Sequence, residues 1–176
     1  MTQAAGRSGS WLICRPGCTQ CCYGPFDITQ LDAARLQQGL AELQSRDPAR
    51  AGAVRDRARR AVRVAALGED DPCPVLDPAT GTCELYAARP ITCRCFGPPV
   101  HCDSRTIGVC ELCYDGATDE EIAACLVDVD PDGLESTLVD ALEKATGMRG
   151  MTTVAQSLGS WAWLRNYACR RNAALR

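Results

Sequence analysis

The sequence predicts a mostly α-helical fold, a small single domain in which amphipathic helices flank a loop-rich stretch crowded with cysteine. Three observations carry this. Apolar residues recur at helical spacing before residue 66 and again after residue 117. Between them, residues 69 to 116 keep no period and are dense in Pro, Gly, Asp and Thr. That same stretch holds seven of the thirteen cysteines.

The length of 176 residues suits one domain spanning 1–176, and folding at this size buries about 70% of the chain's surface. Aromatic residues make up only 5%, however, and much of the 46% apolar fraction is Ala and Cys, which bury little area each. Something besides apolar burial has to supplement the core.

Taken in order, Asp27 or Thr29 can cap a first helix whose apolar face is Leu36, Leu40 and Leu43. Asp47-Pro48 reads as a cap followed by proline at the first helical position. It opens a second helix with Val54, Ala58, Ala61, Val62 and Ala65 on one face, ended by Gly68. Its Arg50, Arg55, Arg57, Arg59, Arg60 and Arg63 read as a solvated polar face. Beyond the loops, Thr118 and Glu121 form a capping box ahead of Ile122, Cys125 and Leu126. A stripe of Leu134, Leu138, Ala141, Leu142 and Ala145 follows Pro131 and ends at Gly147, and a last helix is expected from about Thr153 past Trp161 and Trp163 to Cys169.

A loop of that length needs something to order it, and the cysteines supply a means. Their number is odd. The segment Met1 to Ser10 is polar and lacks a basic region leading into an apolar one, so no secretory signal is read. The cytoplasm is therefore the expected compartment, where clustered thiols serve metal or redox chemistry rather than a disulfide framework. No apolar run of about 18 residues is present, so no membrane span is expected. A net charge of −3 does not call for nucleic acid. With His101 the single histidine, Cys2His2 and three-His zinc sites are excluded within one chain.

The spacing of the cysteines is that of thiolate ligands. Cys18 and Cys21, like Cys110 and Cys113, have the two-residue gap that lets two sulfurs meet one centre. Gly17 permits the tight turn beside Cys18. Adjacent Cys21 and Cys22 cannot easily aim at one ion, which points to more than one metal atom. The expected ligands are Cys14, Cys18, Cys21, Cys22, Cys73, Cys83, Cys93, Cys95, Cys102, Cys110 and Cys113. Cys125 and Cys169 sit at apolar helical positions and read as small hydrophobes. His101, in the cysteine-rich loop, reads as a surface residue or as a fourth ligand in a mixed site.

The segment Cys14-x3-Cys18-x2-Cys21-Cys22, followed by Cys73-Pro-Val-Leu-Asp-x5-Cys83-Glu-Leu-Tyr86-x2-Arg89-Pro90-x2-Cys93-Arg94-x-Phe96, resembles the YkgJ family of CxxCxxCC cysteine-cluster proteins. The resemblance covers about half of the chain, and it departs from the family pattern in having three residues, not two, between Cys14 and Cys18. It implies a protein that contains iron-sulfur clusters or chelates zinc or iron. Arg89 and Arg94 are cofactor-binding candidates, able to neutralise a thiolate-rich centre or donate to its sulfurs.

The domain thus divides into a metal-binding core, 14–113, and a helical C-terminal part, 117–174. Its leading function is a thiolate metal protein holding [4Fe-4S] iron-sulfur clusters for electron transfer or for redox or metal sensing. Two alternatives stand beside it: a structural or chelating zinc protein presenting helices to an unidentified protein partner, and a metalloenzyme with an open iron site.

Overall fold

In a computed structural model of the chain, the described residues are 6–15, 17–25, 27–63, 68, 70–101 and 107–160. They are mostly helical and group into two compact units. One, the aliphatic unit, comprises residues of 19–90 and 135–160; the other, the thiol unit, comprises residues of 6–18 and 91–134.

The aliphatic unit is built on helices α1 (Gln30–Arg46) and α2 (Pro48–Arg63). Thr29 caps α1 by accepting the Asp32 N–H at 3.1 Å, the sort of bond that satisfies one orphan donor of the first turn. Asp47 then accepts the Arg50 N–H at 3.0 Å, so that α2 starts at Pro48. Leu36, Leu40 and Leu43 are buried as their spacing predicts, with Ala51, Val54 and Ala58 facing them from α2. Val62 lies exposed near the end of the predicted α2 stripe, and Ala65 is outside the described residues.

The capping box expected at Thr118 forms with Glu121, and a second, not expected, forms at Thr153 with Gln156. Thr153 opens α6 (Val154–Gly159), which packs across α2, with Val154 and Leu158 entering the core. A Cβ at Gly159 would lie 2.6 Å from the carbonyl carbon of Ala58, so only glycine lets these backbones approach. The chain turns extended at Ser160, and the rest of the helix predicted to reach Cys169 lies outside the described residues. A two-residue antiparallel pair, β1 (Asp27–Ile28) with β4 (Thr152–Thr153), ties the start of α1 to the start of α6.

Two expectations need correction. The helix predicted after Pro131 forms as α5 (Leu134–Thr146), but its stripe is not a core face: Leu134 is 61% and Leu138 45% exposed. Period alone marks amphipathicity without saying what covers the apolar side. The stretch 69–116 is also less irregular than its composition suggests. It holds a 3₁₀ turn at Tyr86–Ala88, the short helix α3 (Ile91–Cys95) and the antiparallel pair β2 (Val100–His101) with β3 (Ile107–Gly108). Each is too short to show a period.

The thiol unit holds α3, the β2–β3 pair and α4 (Asp119–Ala124). Its core is Cys110, Cys113, Tyr114 and Cys125, against which Trp11, Leu12 and Ile122 pack. Tyr114 stacks on Trp11 with ring centroids 6.0 Å apart, and its hydroxyl is hydrogen-bonded to the buried Ser8 hydroxyl at 2.7 Å.

Candidate metal centre

In the aliphatic unit, main-chain pairing brings the cysteine segments together. The 3₁₀ turn Gln20–Cys22 is closed by the Cys22 N–H on the Thr19 carbonyl. The Cys73 N–H donates to the Cys22 carbonyl at 2.7 Å, with Tyr23 bridged to Pro72 alongside. Residues 73–84 then double back as a hairpin in which Leu76 bridges Cys83, the Asp77 N–H meets the Thr82 carbonyl at 2.9 Å and the Glu84 N–H meets the Val75 carbonyl at 2.9 Å. The nine-residue gap between Cys73 and Cys83 is the length of this hairpin.

The hairpin is anchored to α2 through charge. Glu84, with its side chain only 4% exposed, is paired with Arg57 and lies 3.1 Å from Arg50, while Arg57 Nε also donates to the Pro74 carbonyl at 2.8 Å. Arg50 and Arg57 are therefore not part of a merely solvated face, as the arginine run suggested. The acidic residue next to Cys83 was the signal that these arginines had a partner.

The Cys21 thiol is pushed far up by its hydrogen bond with Cys22 and by burial, while the charge of Arg89 pulls it down. Burial raises Cys83, against the Leu85 N–H on its sulfur and the same Arg89 charge. Arg89 itself sits with its guanidinium 3.7 Å from the centroid of the Tyr86 ring.

The thiol unit forms its own group. Cys113 Sγ lies 3.9 Å from Cys14 Sγ and is hydrogen-bonded to Cys110. The Cys113 N–H closes on the Cys110 carbonyl at 2.9 Å, and the Ile13 N–H on the Trp11 carbonyl at 3.0 Å. Burial holds both thiols above the ordinary cysteine range. Gly97, at φ +127°, brings its carbonyl within 3.3 Å of the Cys110 N–H. Cys93, Arg94 and Cys95 lie on α3, all half-buried. Cys18 is exposed, as is His101 on β2; Cys102 is outside the described residues. Cys125 is buried and donates to the Arg7 carbonyl at 3.4 Å, as a small hydrophobe would.

None of the described cysteines forms a disulfide. Among the described residues, no three His, Cys, Asp or Glu side chains converge closely enough to make a complete metal-binding set. The sulfurs meet in chains of contacts, Cys21 with Cys22 and Cys14 with Cys113 and Cys110. The donor chemistry nonetheless fits a thiophilic metal, because sulfur is the donor that zinc and iron-sulfur clusters take. The 3.9 Å separation of Cys14 and Cys113 is close to the ~3.8 Å edge that four sulfurs at ~2.3 Å make around a tetrahedral ion.

Among the described residues, no helix is long and apolar enough to cross a membrane. No curated protein and no solved structure matches the chain. The family model CxxCxxCC, described as a putative zinc- or iron-chelating domain, matches residues 13–114. Since that match spans more than half of the sequence and every cysteine from Cys14 to Cys113, the chain belongs to the CxxCxxCC family.

Proposed function

We propose that this chain is a cytoplasmic thiolate metal protein that holds a [4Fe-4S] iron-sulfur cluster for electron transfer or redox sensing, with Cys21, Cys22, Cys73 and Cys83 among its ligands. The observation that carries the reading is the backbone pairing of the Cys22 segment with Cys73 and of the hairpin that joins Cys73 to Cys83, in a family described as zinc- or iron-chelating. Adjacent Cys21 and Cys22 favour a cluster over a lone zinc ion, because several iron atoms can accept sulfurs that diverge. A bound cluster supplies a one-electron couple. Arg89 would offset the negative charge of the thiolates, and the Leu85 amide on Cys83 would stabilise the anionic sulfur, both of which raise a cluster's potential.

The test is anaerobic purification followed by iron, sulfide and zinc analysis with a visible spectrum. The reading expects a coloured protein with iron and acid-labile sulfide in near-equal amounts. A colourless protein with stoichiometric zinc would replace it with the structural or chelating zinc reading.

A further inference from the structure

We propose that the exposed apolar face of α5 is a docking surface for the chain's own segment 161–176, which lies outside the described residues, laid on it as a helix. The inference concerns residues beyond the cysteine segments and is independent of the metal chemistry proposed above.

The argument begins with the two sides of α5. Leu134, Leu138, Ala141 and Ala145 succeed one another at steps of four, three and four residues, the alternation of a seam that takes one partner helix. All four are exposed. On the other side, Val139 and Leu142 are half-buried and Thr146 is buried. That side is also tied down. Glu143 accepts the Gly150 N–H at 3.1 Å, the Gly150 carbonyl accepts the Gln30 side-chain amide at 3.2 Å, and Met148 packs on the aliphatic core. The helix is thus already held through one side, and its seam is left over as a surface.

Charge and reach select the occupant. Within α5, Glu135, Asp140 and Glu143 stand against the single Lys144, so a second copy of this helix would bring acid to acid. The segment 161–176 has the opposite balance: Arg165, Arg170, Arg171 and Arg176, with no Asp or Glu. It is also apolar at helical spacing, since Trp161, Leu164, Ala168 and Leu175 fall on one side of a helix. A helix of that length extends about 24 Å and α5 about 20 Å, so the two match. The path is short enough. Three residues and the six of α6 separate Gly150 from Ser160, which places Ser160 within about 25 Å of Gly150, while a 16-residue segment can reach about 50 Å when extended.

The experiment uses the full chain with Trp11→Phe, so that Trp161 and Trp163 are the remaining tryptophans, and compares it with the same chain carrying Leu138→Lys. In the first, the emission is expected well to the blue of that in urea and protected from acrylamide. Leu138→Lys should shift it to the red, raise the quenching and speed amide exchange across α5 in the otherwise unaltered chain, while exchange in α1 and α2 stays as it was. Arg170→Glu with Arg171→Glu should give part of the same change, as should added salt. Tryptophan emission that Leu138→Lys does not move overturns the proposal. So does a loss of protection in α1 and α2, which would make Leu138 part of the core. Sedimentation as a dimer that Leu138→Lys converts to monomer would assign the face to a second copy and likewise overturn it.

Discussion

The two units solve the problem of stability differently. The aliphatic unit buries Ile28, Leu36, Leu40, Leu43, Val54, Val75, Leu85, Val154 and Leu158 in one contiguous core between capped helices. In the thiol unit, the buried cluster is three cysteines and a tyrosine, its strands are two residues long and its helices span five and six residues. At roughly 1.5–3 kcal/mol for each fully buried large aliphatic side chain, the first can fold on apolar burial. The second cannot draw on that source to the same degree. A fold with so small a core has little apolar burial to draw on, and none of its described cysteines forms a disulfide; on the metal-binding reading proposed above, a bound metal would supply the cross-link.

The largest expected effect tests that contrast directly. Chelation under reducing conditions should abolish most amide protection between residues 107 and 127 while leaving α1 and α2 protected, because metal binding that supplies folding free energy is lost only where it was needed. Hydrogen exchange by mass spectrometry on the loaded and stripped chain reads this. Equal loss in both units, or none in the thiol unit, would break the distinction.

A second prediction perturbs the aliphatic unit alone. Arg57→Ala leaves the buried Glu84 carboxylate with only Arg50, which is itself half exposed, and removes the donor to the Pro74 carbonyl. Breaking a buried pair by removing one partner costs about 3 kcal/mol, so urea unfolding should show a loss of that order. Amide protection of residues 107–127 should be unchanged. A loss under about 1 kcal/mol would show that the pair behaves as an exposed one.

The difference between the units also explains what could be read in the sequence. Thr29, Asp47, Thr118 and Thr153 announced their helices because a cap is a local chemical event, set by residues three apart. Leu36, Leu40 and Leu43 were legible for the same reason, since one helix face needs one partner. The stripe of α5 misled because its exposure depends on what lies opposite, and no local pattern encodes that. In the candidate site, the cysteines were legible as a family signature, through spacing and resemblance. Their division into two groups was not, because it depends on which loops pair: Cys22 with Cys73 through backbone bonds, and Cys14 with Cys113 across ninety-nine residues of chain. Gly97 went unread and Arg57 was taken for part of a solvated face, since each acts through a long-range approach.

The smallest effect concerns the hairpin that carries Cys83. Asp77 accepts the Ala79 N–H at 3.0 Å and the Thr80 hydroxyl at 2.8 Å, and the Gly81 N–H closes back on the Asp77 carbonyl at 2.9 Å. Gly81 takes φ +65°, which glycine adopts without a Cβ penalty. The Ala79 N–H on the Asp77 carboxylate, followed by the Thr80 hydroxyl, holds this acid below its ordinary value of 3.8. A carboxyl with a depressed folded value stabilises the native state above its unfolded value, and that stabilisation is lost as pH falls through the folded one. Asp77 lies at the surface, only partly buried, so the contribution is small and screened by salt. Asp77→Asn should therefore loosen residues 77–82 at neutral pH and flatten the weak destabilisation of the parent chain below about pH 4, as measured by local amide exchange across an acid titration. An Asn variant that keeps the parent's full acid dependence in this hairpin would show that the carboxylate does not hold the turn.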